Sequence, residues 1–302
     1  MPDVTLKNVP GMADAAAVPV LDAATLSEAV FQNDYVAQSR PCVIRGAVKH
    51  WPASKKWRDR EYLKARSGHH EIFLYENEYH VQAKRMTAGK REINFAEAID
   101  RLHSDATRLA IVTTALPTEL LSDLGGFPFL TKAEPAYCYP PARYFFHRNA
   151  GTTWHYHPFD ETLMCQVIGS KKIGLVSGNS PANLQLRRIF FAEDYYDNAA
   201  AFGALNDDSV RWFSATVEEG DALYIPPLWW HGVIPLSQGF GATAAVTWRS
   251  PPAVIANGIK KMALGEIDMI GKAVIEDFQG LLLTAQKLGL DREFAIAWAR
   301  GN

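Results

Sequence analysis

Apolar and polar positions change period along the chain in three stages. Helical spacing and strand-like alternation are interleaved up to about residue 142, short strands then follow one another to about residue 250, and helical spacing returns to the end. Residues 1–17 form a weakly patterned lead-in, and Val18 to Leu21 reads as a short extended piece. Thr25, with Glu28 three residues on, has the form of a helix N-cap opening a helix through about Gln38. Pro41 to Gly46 is a β-rich strand ending in glycine, and Asp59 to Arg66 reads as a second helix. Residues 71–85 alternate as one or two strands about a polar turn at Asn77. Phe95, Ala98, Ile99 and Leu102 fall at helical steps within Ile93–His103, and Arg108–Thr114 suits a buried strand. Residues 117–142, rich in Pro, Gly and aromatics, read as a long covering loop with one helical turn.

From Arg143 the strands come in series: Tyr144–Arg148, Thr153–His157, Thr162–Ile168, Lys172–Val176, Val210–Val217, Ala222–Ile225, Gly232–Pro235 and Ala242–Trp248. Residues 179–206 interrupt them as a polar, aromatic insertion. Short strands at this spacing predict a mainly β fold with helical additions, a double-stranded β-helix whose barrel core spans about 143–250. Beyond Pro251-Pro252, residues such as Ile255, Ile259, Met262, Ile270 and Phe278 return at three- and four-residue steps. The domain reading is a lead-in over 1–17, one barrel domain over 18–252 and helices over 253–302. That helical tail reads either as a cap on the barrel or as the dimerisation element of a homodimer.

Composition narrows the class. The 302 residues are 48% hydrophobic and 21% charged with a net charge of -2, so overall electrostatics carry no nucleic-acid signal. Three cysteines without paired spacing, Cys42, Cys138 and Cys165, argue for a reducing compartment rather than a disulfide framework. No run of about 18 apolar residues suggests a membrane span. The chain reads as cytoplasmic.

The candidate chemistry lies in two segments, Gly151–Lys172 and Gly220–His231. On a strand, His155 and His157 share one face, and Asp160 and Glu161 follow just past a turn at Pro158. His231 closes the second segment after Gly220, the apolar Ala222–Ile225 and the Pro226-Pro227 turn. Three imidazoles and a carboxylate suit a transition metal with a position left for substrate or oxygen. Arg148 and Arg249, near strand ends, are further candidates for an anionic ligand or for surface ion pairs.

These segments resemble the two motifs of the cupin superfamily. Gly151, His155, His157, Glu161 and Gly169 follow the first; Gly220, Pro226 and His231 follow the second. From Val18 to about Trp248 the chain is similar to the cupin-like JmjC hydroxylases, the group of the asparaginyl and tRNA wybutosine hydroxylases. RPCVIRGAVKHWPASKKW, QVIGSKK and GDALYIPPLWWH carry that likeness, and the first of these lies outside any metal site.

The resemblance implies Fe(II) and 2-oxoglutarate as cofactor and cosubstrate, with hydroxylation of a protein or peptide, an RNA or a small molecule. By position His155 is the first metal ligand and His231 the last, Lys171 pairs with the 2-oxoglutarate carboxylate, and the Thr152 hydroxyl contacts it. The family's His-x-Asp carboxylate is replaced here by His157. Three outcomes follow. Glu161 or Asp160 supplies the carboxylate, helped by one extra residue before Gln166; three histidines hold the metal in a dioxygenase that does not use 2-oxoglutarate; or the metal is lost and a binding pocket remains.

Overall fold

The structure, a computed structural model, describes residues 9, 11–76, 90–105, 107–157, 159–180, 186 and 210–261. Fourteen strands among them form two sheets. The larger is ordered β2 (Val20–Asp22), β3 (Cys42–Arg45), β12 (Ala222–Ile225), β9 (Asp160–Ile168), β14 (Phe240–Arg249), β7 (Ala142–Arg148), β6 (Leu109–Ala115), β4 (Glu71–Glu76) and β5 (Lys90–Asn94). The smaller is ordered β1 (Ala16–Ala17), β11 (Trp212–Val217), β10 (Lys171–Ser177), β13 (Trp229–Pro235) and β8 (Thr152–His155). The sheets face each other without closing into a continuous barrel, which is the jelly-roll sandwich of a double-stranded β-helix.

Side-chain alternation along the strands sorts the core into two layers. In β12, Leu223 and Ile225 turn towards the smaller sheet and pack with Ile173, Leu175, Ala215 and Val233, while Ala222 and Tyr224 turn the other way. That other face carries the larger core. Phe31, Trp57, Leu63, Phe95, Ile99 and Leu102 from the helices cover Tyr144, Phe146, Leu163 and Cys165 of the sheet. Edge-to-face ring pairs lock the layers, Phe31 on Tyr224 at 5.1 Å and Trp57 on Phe146 at 5.3 Å. Each such aromatic contributes about 1.5–3 kcal/mol by burial alone, so this face holds the domain together. It leaves the inner face free to carry polar groups.

The RPCVIRG and WPASKKW stretches have structural work. Arg45 pairs with the buried Asp221, which also accepts the Gly46 amide at 2.9 Å. The fully buried Asp123 accepts from Lys56, Trp57 Nε1 and Tyr62 at 2.8–3.0 Å.

Several boundaries differ from the sequence expectation. The first helical segment is capped by Ser27, not Thr25: its Oγ accepts the Val30 amide, and Glu28–Val30 runs into a π-helical stretch, Phe31–Val36. Glu28 is drawn away as a surface anchor for Thr131. The helix over Phe95–Ser104 begins after Asn94, whose side chain accepts the Glu97 amide, so Ile93 belongs to β5. β8 stops at His155, so His157 lies beyond its strand, whereas His231 is inside β13. The second of the two strands read in 71–85 and its Asn77 turn lie outside the described residues, as do most of the insertion at 179–206 and the tail beyond 261. Of that tail Pro252–Lys261 is helical. Among the described residues no helix is long and apolar enough to cross a membrane.

Candidate metal centre and its cavity

β8 and β13 pair antiparallel with His155 opposite His231, which sets those two rings side by side at 4.1 Å. The approach depends on Gly151: a Cβ there would lie 2.1 Å from the Val233 carbonyl oxygen. His157 arrives from the turn after β8. Its carbonyl accepts the amide of Leu228, which holds a left-handed φ of 63° just before β13, so the turn carrying one histidine is tied to the strand carrying another. The ring of His157 stands 5.4 Å from His155 and 5.0 Å from His231. One ring nitrogen from each lies within 4.8 Å of the others, a spacing that a single metal ion can bridge.

Two of the rings are held from behind. His231 Nδ1 is 2.9 Å from the Trp229 carbonyl and so is the donor, leaving Nε2 to the cavity. His157 Nδ1 lies 3.0 Å from Thr162 Oγ1, a contact that holds the orientation of its ring. Burial holds both imidazoles well below their usual pKa, and the neighbouring histidines and Arg143 act in the same direction. Neutral imidazole is the form that binds metal.

Glu161 lies outside this cluster. Along β9 it shares a face with Leu163 and Cys165, which belong to the helix-covered core. Its carboxyl accepts Tyr224 OH and Ser250 Oγ, both at 2.6 Å, and burial pushes its pKa up to about 7. The extra residue of β9 is absorbed between Gln166 and Ile168, where the register with β14 shifts, and does not turn Glu161 inward. Asp160 is committed as well, accepting the Tyr137 and Cys138 amides at 2.6 and 2.7 Å and so anchoring the covering loop.

The three histidines open on a cavity between the sheets that Lys171, Thr152, Thr162, Thr243, His147 and Arg143 also line. Lys171, read from sequence either as a solvated turn residue or as a cosubstrate contact, is 5% exposed and points into this cavity. Its Nζ donates to Thr243 Oγ1 at 2.6 Å, which in turn donates to Gln166 Oε1 at 2.9 Å. Burial brings its pKa down to about 7. His147 is buried beside it with neither ring nitrogen hydrogen-bonded, in space left by Gly241, where a Cβ would lie 2.4 Å from His147 Nε2. No aspartate or glutamate among the described residues lines the cavity.

Arg148 and Arg249 do not reach it. Arg148 donates to the Leu102 and His103 carbonyls, and Arg249 stacks over Tyr137. Trp154 and Trp230 are core residues. Arg143, His147, Thr162 and Thr243 went unnoticed in the sequence as site residues. Only the period-two pattern of Arg143, Phe145 and His147 could have signalled the first two.

Comparison with known proteins agrees with this geometry. Residues 27–253 match the model of the cupin-like domain. A lysine-specific demethylase of Arabidopsis thaliana is 26% identical over 229 residues, 70% of this chain and 51% of the relative. The human bifunctional peptidase and (3S)-lysyl hydroxylase is 27% identical over 271 residues, covering 77% of this chain and 84% of the relative. The human tRNA wybutosine-synthesizing protein 5 is 29% identical over 100 residues, 33% of this chain and 31% of its own. The chain spans about half the length of the Arabidopsis demethylase. With a matched domain over most of its length and a histidine cluster at the sandwich mouth, the chain belongs to the cupin-like JmjC domain family.

Proposed function

We propose that the protein is an Fe(II)- and 2-oxoglutarate-dependent oxygenase in which His155, His157 and His231 hold the metal. The observation that carries this reading is that the three histidines and the buried Lys171 face one cavity. The residues fit both groups. Three convergent neutral imidazole nitrogens suit a first-row divalent metal, and a buried ammonium with a hydroxyl partner suits a carboxylate. Iron with 2-oxoglutarate supplies oxygen activation and two electrons for hydroxylation of a bound substrate.

The chain's own residues then have definite tasks. The Trp229 carbonyl fixes the tautomer of His231, and the Thr162 hydroxyl orients the ring of His157. Lys171 in its charged form pairs with the distal carboxylate of 2-oxoglutarate, with Thr243 orienting its Nζ and Thr152 on the same wall. The walls, Met164, Ile225 and Val233 among them, exclude water. Relatives whose names state demethylation, lysyl hydroxylation and wybutosine synthesis make hydroxylation chemistry the natural class.

His157 favours a second reading, a three-histidine dioxygenase that does not use 2-oxoglutarate. Anaerobic titration separates the two. The protein should take up one Fe(II) or Mn(II) per chain, then bind 2-oxoglutarate only when the metal is present, and release succinate in air. Metal uptake without 2-oxoglutarate binding selects the second reading, and no metal uptake leaves a binding protein.

A further inference from the structure

A second group of metal-ligating side chains lies outside the cavity, on the helix layer. His69 and His70 sit in the turn between the helix Arg60–Ser67 and β4, and Glu119 belongs to the helical turn Thr118–Leu121 that opens the covering loop. His70 Nε2 is 3.0 Å from Glu119 Oε2 and 3.2 Å from Oε1, and His69 Nε2 is 3.7 Å from Oε1. The two imidazole rings stand 4.2 Å apart, and one ligand atom from each of the three residues lies within 4.8 Å of the others. None of the three lines the histidine cavity. The His70 carbonyl accepts the amide of Phe95, which packs on Tyr144 and Phe146 at the outer face of the larger sheet, so that sheet separates the two groups.

The backbone presents these side chains in advance of any ion. The His70 amide donates to the Ser67 carbonyl at 3.1 Å, and the Ala96 amide donates to the Gly68 carbonyl at 3.2 Å. A Cβ on Gly68 would lie 2.3 Å from the Lys64 carbonyl oxygen, so the turn needs glycine to close as it does. On the facing element Arg66 donates to the Glu119 backbone carbonyl at 2.7 Å. That contact ties down the main chain of Glu119 and leaves its carboxylate to the histidines and to Thr118 Oγ1 at 3.4 Å.

An ion pair alone does not account for this arrangement. One imidazolium would satisfy the carboxylate, and two protonated rings at this separation repel each other. His69, with a side chain 68% exposed, nevertheless turns its Nε2 towards the same carboxylate as His70. Burial works to raise the Glu119 pKa, but a backbone hydrogen bond and the His70 and His69 rings outweigh it and hold the group below its usual value, as the anion. Two neutral imidazoles and a carboxylate are a zinc ligand set with a fourth position for water. Ligand atoms of a tetrahedral zinc ion stand about 3.4 Å apart. The nitrogen–oxygen separations of 3.0 and 3.7 Å bracket that spacing.

We infer that His69, His70 and Glu119 form a second metal site, for Zn(II) or a divalent ion of similar ligand preference, that clamps the first turn of the covering loop onto the helix layer. The site does not depend on the oxygenase reading.

The natural protein, titrated with Zn(II) against a chromophoric chelator, should take up one equivalent that His69→Ala and Glu119→Gln each lose. The cavity variant, His155→Ala combined with His231→Ala, should keep that equivalent. Mn(II) is the weakest of the first-row divalent ions for such ligands, so Mn(II) uptake should report the cavity and Zn(II) uptake both sites. An ion that binds only the folded state raises the melting temperature. Zn(II) should therefore raise that of the cavity variant, and adding His69→Ala should abolish the rise. Melting in excess chelator reports that each variant is folded. Zn(II) uptake unchanged in both His69→Ala and Glu119→Gln, or no Zn(II)-dependent rise in the cavity variant, would overturn the proposal. Equal affinity of this site for Mn(II) would overturn the assignment to a zinc-type ion. Should the cavity variant not fold, the difference in Zn(II) uptake between the natural protein and His69→Ala decides.

Discussion

His157 Nδ1 and Thr162 Oγ1 lie 3.0 Å apart inside the cavity wall, joining the one histidine that has no strand beneath it to the middle of the larger sheet. His155 and His231 are positioned by ladder hydrogen bonds and by each other. His157 depends on its backbone bond to Leu228 and on Thr162. Thr162→Val removes the hydroxyl and keeps the shape, so metal affinity should fall about ten- to hundredfold, the usual cost of losing an outer partner of a ligand. Thr162→Ser should restore most of it. Competition against a chromophoric chelator reads both, and an unchanged affinity in Thr162→Val would show that the turn alone holds the ring.

Lys171 gives a pH dependence with a definite sign. Burial disfavours its charged form and brings the pKa to about 7; Thr243, Gln166 and His147 face it, and His147 is itself held neutral by burial. A carboxylate binds the ammonium, not the amine. Affinity for 2-oxoglutarate should therefore be full below pH 7 and fall with increasing pH above it, with binding near neutrality accompanied by proton uptake. Calorimetry in two buffers of different ionisation enthalpy measures that uptake. Lys171→Met should lose the affinity and the pH dependence together, and a residual pH dependence would assign the proton elsewhere.

How much of this was legible in the sequence follows from which signals are local. Alternation located the strands from Tyr144 onwards to within a few residues, because it follows from chain geometry over a few residues, and the histidine motifs pointed to His155 and His231 converging on one point; that their strands are neighbours comes from the β8–β13 pairing. The side that Glu161 faces was not legible. It is set by the register of β9 against β14, and the extra residue is absorbed near Val167, six positions from where it would have mattered. Arg143 and His147 were hidden for a related reason: β7 alternates between two buried faces, so its inward polar residues look like interruptions of a core strand. Lys171 next to Lys172 reads as a solvated pair until the ladder puts one of them in and the other out.

Glu161 yields a stability prediction. Its pKa of about 7 lies above the ordinary 4.5, so the folded state holds a proton that the unfolded chain releases between those values. The protonated carboxyl contributes stability that is fully present below about pH 4.5 and lost as pH rises through about 7. Glu161→Gln keeps a neutral side chain that can meet Tyr224 and Ser250, so it should flatten that part of the stability curve while metal uptake stays at one per chain. Glu161→Ala strands both hydroxyl donors and should cost about 1–3 kcal/mol. Thermal melts over this pH range decide it. Loss of metal from Glu161→Gln would return the carboxylate to the ligand set.

His157→Asp tests the departure from the family pattern directly. The new side chain is shorter, loses the Nδ1 contact with Thr162 and brings a carboxylate towards Arg143, which acts electrostatically on position 157. Metal uptake should persist, since two histidines and a carboxylate suit the same ions. Affinity for an anionic second ligand should fall by about tenfold, because one negative charge has been added to a buried site. Succinate formation from 2-oxoglutarate should be present in the natural protein and remain in the variant. A natural protein that forms none beside a variant that does would mean that His157 marks a cavity turned from 2-oxoglutarate chemistry to binding. Unchanged anion affinity in the variant would show that the charge at position 157 does not govern anion binding in the cavity.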